Sequence, residues 1–371
     1  MSLSSAVDPS AVARVVGIKT AFKDLRGGGV VSLPQRIAII GQGNSASVYS
    51  NDKAQVTSAL AVAQTYGFGS PLHLAAKQLF PENGDGVGTI PVTVYPLNDA
   101  GTGVASTGDV TPTIAATESA SYTIRVNNID SETFTLPATG ATVATVTAQI
   151  TAAINATLEM PIIAVDGTTV VDTTSKWEGL SANDIFIEVI GSTTSGNSFA
   201  ITQHTGGAAN PDVSAALAQV GNVWETMFLN CLNISDTATL DLYSAFGEGR
   251  WGALVRKPCI VFTGNTATAV ATATAVSDAR GSDRVNSQLV APGSNDLPFA
   301  VAARQLARIV KVAASNPPQD YGSQDATGLT PGVDGDQWNY TERDQAVKAG
   351  SSTTEVKDGV INVSDTVTFY H

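Results

Sequence analysis

The first residues able to do chemistry are Gly41-Gln42-Gly43, directly after a short apolar run. Glycines in that position can open a dinucleotide-binding turn, where the backbone approaches a pyrophosphate. The third glycine of that pattern is missing, Ala46 stands in its place, and no phosphate-loop lysine follows. Phosphate binding is therefore not expected. Histidine occurs only at 73, 204 and 371, and His73 lies between Leu72 and Leu74, which suits helix packing better than general-base work. Cys231 and Cys259 sit in the apolar runs FLNCLN and KPCIVF, where a free cysteine acts as a small buried hydrophobe. Two cysteines do not make a disulfide framework, and no Cys/His cluster has metal-ligand spacing. The carboxylate pairs Glu342/Asp344 and Asp334/Asp336 fall in polar segments that read as solvated surface. With no nucleophile elbow present, the expectation is a non-enzyme with no catalytic residue, cofactor or metal.

Composition narrows the class further. Only 14% of residues are charged, 43% are apolar, and the net charge is −13 with a pI near 4.5. Such a balance offers no basic track for a phosphate backbone, so nucleic acid is not an expected partner. The 371 residues predict two or three domains with real cores. Abundant Gly, Ala, Ser and Thr give a texture shared by β-rich extracellular and virion proteins. No basic segment leads into an apolar one at the N-terminus, and no stretch approaches the length of a membrane span. The chain is expected to be made and held in the cytoplasm until something releases it, without inserting in a membrane.

The elements that would position any site can be read in order. Residues 1–34 form an arm in which Val16, Ile18, Thr20 and Phe22 alternate with smaller or polar residues, as a strand with one sticky face would. Gly27, Gly28 and Gly29 then supply a hinge. An alternating strand on a hinge suits addition to a neighbour's sheet; an edge strand of its own domain is the other reading. Residues 33–43, LPQRIAIIGQG, begin the buried core as a strand covered on both faces. Asp52 is expected to cap a helix through Val56, Leu60 and Ala63 to Tyr66, and Ser70-Pro71 to open another. Residues 89–96 read as a second buried strand.

From 98 to 117 the chain reads as a Gly/Thr/Ser/Asp linker, followed by a hairpin at 121–136, a helix at 141–157, and strands near 160–165, 168–173, 184–190 and 198–203. Residues 100–208 are thus expected to be an inserted β-rich domain that splits an α/β core of 35–99 and 209–371. In the second half, strands are expected at 226–233, 258–264 and 286–293, with helices at 236–250, 267–280 and 297–314. A loop at 322–335, a short helix at 341–348 and two strand-like runs at 359–369 close the chain. The fold class is α/β: a mixed sheet flanked by helices, with an inserted β-rich small domain and an extended N-terminal arm.

Several of these stretches together resemble the tail sheath proteins of contractile, Mu-like bacteriophages and prophages. They are GGGVVSLPQRIAIIGQG after the arm, the β-rich insertion, DARGSDRVNSQLVAPGSNDLPFAVAARQLARIVKVAASNPPQD, WNYTERDQAVKAG and DGVINVSDTVTFYH. The resemblance runs from about Gly27 to His371 and is most specific in the last ninety residues. It implies a subtilisin-like α/β sheath domain without protease chemistry, and a structural subunit that polymerises around the tail tube and contracts to drive it through the host envelope. Implied partners are other copies of the chain in hexameric rings, the tube protein, and the baseplate and tail terminator proteins. The implied location is the virion, with assembly in the host cytoplasm. Proteins of that family continue into a C-terminal domain that packs on the tube. Val363, Val367 and Phe369 are therefore expected on a strand leading toward a domain that this sequence lacks. Val16, Ile18 and Phe22 are expected at a subunit interface. A secreted surface-layer or adhesin-type protein is the competing reading; it accounts for the composition but not for the α/β core.

Overall fold

In the computed structural model, residues 34–115, 117–315 and 319–371 are described. Strand β1 (Ile37–Gln42) lies inside the largest sheet with all six residues buried, as a strand covered on both faces must be. The chain leaves it through β2 (Ala54–Val56), α1 (Ala59–Tyr66) and α2 (Pro71–Leu79) and returns as β3 (Val92–Leu97), parallel to β1. The first helix is capped by Ser58, whose side chain accepts from the Ala61 amide, and not by Asp52. Val56 belongs to a short strand instead of that helix, because it pairs with Val92 at the edge of the sheet. Ser70 caps α2 with Pro71 in the first turn, as expected.

Next come β4 (Ala105–Thr113), β5 (Ala120–Val126), β6 (Ile129–Asp130), β7 (Phe134–Leu136), α3 (Val143–Ala156), β8 (Ile162–Asp166), β9 (Val171–Glu178), β10 (Ile187–Gly191) and β11 (Ser198–Thr205). They form two antiparallel sheets, β10-β5-β6 with β7 also on β5, and β11-β4-β9-β8. Much of the stretch read as a linker is therefore a nine-residue strand, β4, paired on both sides. Its inward residues Ser106, Gly108, Val110 and Pro112 are small or polar for the most part. Main-chain hydrogen bonds, more than side-chain burial, hold it.

The parallel sheet then resumes with α4 (Ser214–Val220), β12 (Met227–Asn230), α5 (Thr237–Trp251), β13 (Ile260–Asn265), α6 (Val270–Asp278), β14 (Asn286–Val290) and α7 (Pro298–Ser315). The order is β14-β13-β12-β1-β3-β2, parallel throughout except for β2 against β3. Helix α7 lies across it with a largely buried face, including Phe299, Val301, Leu306, Ile309 and Val310. Last come β15 (Gln324–Asp325), α8 (Tyr340–Lys348), β16 (Thr353–Lys357) and β17 (Val360–Asp365), the three strands making a small antiparallel sheet. The closing hairpin thus begins at Thr353, turning at Asp358 and Gly359, both at positive φ, which suits a two-residue turn. Val363 lies in β17, but Val367 and Phe369 lie beyond it and in no strand. Phe369 is fully buried, and its amide donates to the Asn286 carbonyl, so hydrophobic burial against the core replaces the expected extended exit. The protein is a mixed α/β fold with several sheets and, among the described residues, eight α-helices.

Candidate assembly surface

The chain goes from β1 to β3 on one side and, after the inserted sheets, to β12 on the other. That reversal marks the crevice where open α/β sheets hold ligands, outside the carboxyl ends of the strands. Here the crevice is filled by the chain itself. Gln42 Nε2 donates to the Glu178 carbonyl at 2.7 Å and also to Asp99 Oδ1. The Ser45 amide donates to the Lys176 carbonyl at 2.8 Å. The neighbouring amides of Gly43, Asn44 and Ala46 are taken by Tyr49 Oη, the Tyr66 carbonyl and Asn44 Oδ1. An anion cradle needs free N–H groups, and this turn has committed four in a row. Gly41 serves packing instead: a Cβ there would stand 2.8 Å from the Cys231 Cβ.

The other chemically suggestive residues are also in the interior. His73 is buried in α2, accepting from the Gly69 amide at Nδ1 and meeting Phe68 edge-on; burial lowers its pKa to about 4. His204 lies between Ser106 Oγ at 2.8 Å and Thr173 Oγ1 at 3.0 Å. A Ser–His pair at that distance has nucleophile-and-base geometry, which the sequence did not mark because ninety-eight positions separate the two. Both residues are buried, and Ser106 Oγ also reaches the Ala182 carbonyl at 2.7 Å. Burial lowers the His204 pKa to about 4, so the imidazole is neutral at pH 7, and the pair ties β4, β9 and β11 together. Cys231 and Cys259 are free and buried, with burial pushing both thiols up, Cys259 to about 11. Glu342 caps α8 through the Asn339 amide, and Asp344 pairs with Lys348. Among the described residues no group of three or more His, Cys, Asp or Glu could hold a metal ion, and no helix is long and apolar enough to cross a membrane.

What remains is surface, and two features lie at opposite ends of the parallel sheet. At the amino ends of the strands, Trp224 precedes β12, Trp251 ends α5, and residues 252–259 lead into β13. Trp251, Leu254 and Val255 are exposed, Leu254 completely. Arg250, buried beneath, donates to the Gly221 and Val223 carbonyls and stacks on Phe246, so the base of this projection is fixed. Arg256 takes a φ of 53°, which non-glycine residues rarely adopt. At the carboxyl end, an open cleft of about 480 Å³ is lined by Leu180, Pro211, Asp212, Asp236, Ala238 and Leu242 among others. Asp212 precedes α4 and accepts from the Ser214 amide and hydroxyl, which hold its carboxyl below the usual range. Asp236 caps α5 and accepts from Asn210 Nδ2 at 2.8 Å. In the sequence only the run GALV between Trp251 and Arg256 hints at the projection, and nothing hints at the cleft.

Of the residues expected at an interface, Val16, Ile18 and Phe22, with the hinge Gly27, Gly28 and Gly29, lie outside the described residues. The described chain starts on the same rim as the projection: the Arg36 amide donates to Thr226 Oγ1, and its guanidinium pairs with the buried Glu225.

No protein-family model matches the chain. A curated relative is 27% identical over 311 residues, covering 81% of this chain and 61% of its own length: the Mu-like prophage FluMu tail sheath protein of Haemophilus influenzae. This chain is thus similar in sequence to a prophage tail sheath protein, as its motifs suggested, and spans 61% of that protein. Among solved structures, a sheath tail protein from Listeria innocua aligns over 89% of this chain and 68% of its own, at 14% identity and a TM-score of 0.39, too low to equate the two folds.

Proposed function

We propose that the protein is a structural subunit of a contractile tail sheath, which polymerises around a tail tube and shortens to drive that tube through a host envelope. The observation that carries this reading is the similarity to the Haemophilus tail sheath protein over most of the chain. The geometry favours it as well: the crevice where a sheet of this topology would hold a substrate is filled by the chain's own Lys176 and Glu178 backbone. On this reading the protein is non-enzymatic. It works in the virion and is assembled in the host cytoplasm, as hexameric rings with the tube, baseplate and terminator proteins as neighbours.

Contraction requires subunits to rotate as rigid bodies while staying linked. An arm carrying Val16, Ile18 and Phe22 on the hinge Gly27, Gly28 and Gly29 supplies the link, since main-chain pairing with a neighbour persists while hinge dihedrals change. Val363, in the central strand β17 between β15 and β16, is proposed to lie on the path toward the C-terminal, tube-packing part of the longer sheath proteins. The β-rich insertion, residues 100–208, faces outward, away from the tube, and the α/β core carries the subtilisin-like sheath architecture.

Two experiments test the reading. Immunogold labelling of particles from an induced source culture should place gold along tail cylinders, both long and shortened; gold on cell envelopes beside bare tails would replace it with the surface-layer alternative. Deleting residues 1–26 should leave a folded monomer that does not join full-length cylinders. Normal cylinders from the deleted chain would remove the arm's role.

A further inference from the structure

Helix α5 joins the two surface features. Its first turns, with Asp236, Ala238 and Leu242, line the cleft at the carboxyl ends of the strands, and its last residue, Trp251, begins the projection at the amino ends. The features therefore point in opposite directions, about 22 Å apart for fifteen helical residues. One is convex and the other concave. Their charges are also opposed. The projection carries Arg256 and Lys257, whose nitrogens donate to the Ala253 and Asn222 carbonyls and, among the described residues, to no carboxylate. The cleft carries Asp212 and Asp236, neither of which takes part in an ion pair among the described residues, in a chain of net charge −13. A fully exposed leucine beside an exposed tryptophan has no structural reason to stay in water.

We infer that the projection at residues 251–257 of one copy seats in the 209–242 cleft of the next copy, with Leu254 against Leu242 and Ala238, and Arg256 and Lys257 facing Asp212 and Asp236. The occupant is a second copy of this chain. The contact is heterologous, since the two surfaces differ, so each copy keeps a free projection at one end and a free cleft at the other. Repetition gives a ring if the rotation closes and an open helical stack if it does not. Charge complementarity fixes the direction of joining, because projection against projection sets cation on cation. The inference rests on the reading that copies of the chain assemble, and names the surfaces by which they do so.

The test uses the full chain, with assembly followed by negative-stain microscopy and sedimentation. Leu254 is exposed, so Leu254→Asp should leave the circular-dichroism spectrum and melting curve unchanged while raising the concentration needed for assembly about tenfold or more. A second variant carries Leu254→Cys and Leu242→Cys together. Leu242 precedes Trp251 by nine helical positions, about 14 Å, and residue 254 lies beyond Trp251, so the two thiols cannot bond within one copy. Native Cys231 and Cys259 are buried and do not compete. Mild oxidation of assembled protein should give a ladder of dimers, trimers and longer species on a non-reducing gel, absent from either single-cysteine chain. Assembly that gives no ladder, or that Leu254→Asp leaves intact, overturns this contact and leaves the assembly reading standing. If the unmodified chain never assembles, the assembly reading fails and this contact fails with it.

Discussion

Asp296 gives the fold a measurable response to pH. It precedes α7 and is 4% exposed, accepting from the Thr330 amide at 2.6 Å and from Ser294 Oγ at 3.3 Å. Those donors and the Asn128 side-chain amide are all neutral, and Lys77, which lines the same cleft, is paired with Glu159. Burial therefore dominates and raises its pKa from 3.8 to about 6. For an acid whose folded pKa lies above its unfolded value, the folded state binds the extra proton between the two, so stability falls as pH rises from about 4 through about 6. At 1.36 kcal/mol per unit, the penalty above pH 6 is about 3 kcal/mol. An asparagine at this position would copy the protonated state and still accept from Thr330. Asp296→Asn should thus stabilise the protein by up to about 3 kcal/mol at pH 7.5, and the gain should shrink to near zero by pH 4. Urea denaturation of both proteins at half-unit steps gives the difference directly. A gain independent of pH, or a loss at pH 7.5, would refute the assignment of burial as the dominant cause.

Two further predictions concern the inserted sheets. Trp177 in β9 is fully buried, with its ring 6.2 Å from that of Phe299 in α7, so it joins the insertion to the core. Trp177→Ala should cost about 3–5 kcal/mol in urea denaturation; a loss below about 1 kcal/mol would mean the two parts are held elsewhere. Asn155 covers the free edge of β8: its side chain donates to the Ala164 carbonyl at 2.8 Å and accepts from the Ala164 amide at 3.0 Å. That edge carries the exposed Ile163 and Val165, so Asn155→Ala should cost only about 1–2 kcal/mol yet raise light scattering on incubation, by uncovering a strand edge. Unchanged scattering would show that the edge is protected by something other than the amide.

What could be read from the sequence follows from which force holds each element. Strands β1, β3, β12 and β13 are continuous apolar runs because both their faces are covered, and such runs stand out in one dimension. The cap at Ser70 is legible for a similar reason, being local. Strand β4 did not, since ASTGDVTPT buries only one large apolar side chain and owes its place to neighbours on both edges. Val56 fits the helical spacing of Leu60 and Ala63 but pairs with Val92, a contact thirty-six residues away. The Asp358-Gly359 turn stands between Val356 and Val360 as a local signal, whereas the runs expected from the sequence, at 359–369, fall after it instead of around it. The cleft and the projection are further from view, because each gathers residues that only the sheet topology brings to one end. The Ser106–His204 pair makes the same point from the opposite side: it has the geometry of chemistry, and its burial shows that it serves packing.

The filled crevice bears on how such a body could move. Contacts that cross between the inserted sheets and the core include Gln42 to the Glu178 carbonyl, the Ser45 amide to the Lys176 carbonyl, Asn233 to Asp184 at 2.7 Å, Asn127 to the Asn295 carbonyl at 2.8 Å, and Trp177 against Phe299. They are spread over the ends of β1 and β12 and the start of α7, so a hinge motion between insertion and core would have to break several at once. Loops at a switch point usually stay free to close on a ligand; these are spent on holding two parts of one chain together. A body fixed in this way transmits force instead of absorbing it, which is what a subunit that rotates as a unit needs. Any joint that moves must then lie outside the seam. On the proposed sheath role, Trp177→Ala, even where the protein still folds, should disturb concerted motion of an assembled cylinder more than the change of a surface residue with the same stability loss. Equal effects from the two would mean that the seam serves stability alone.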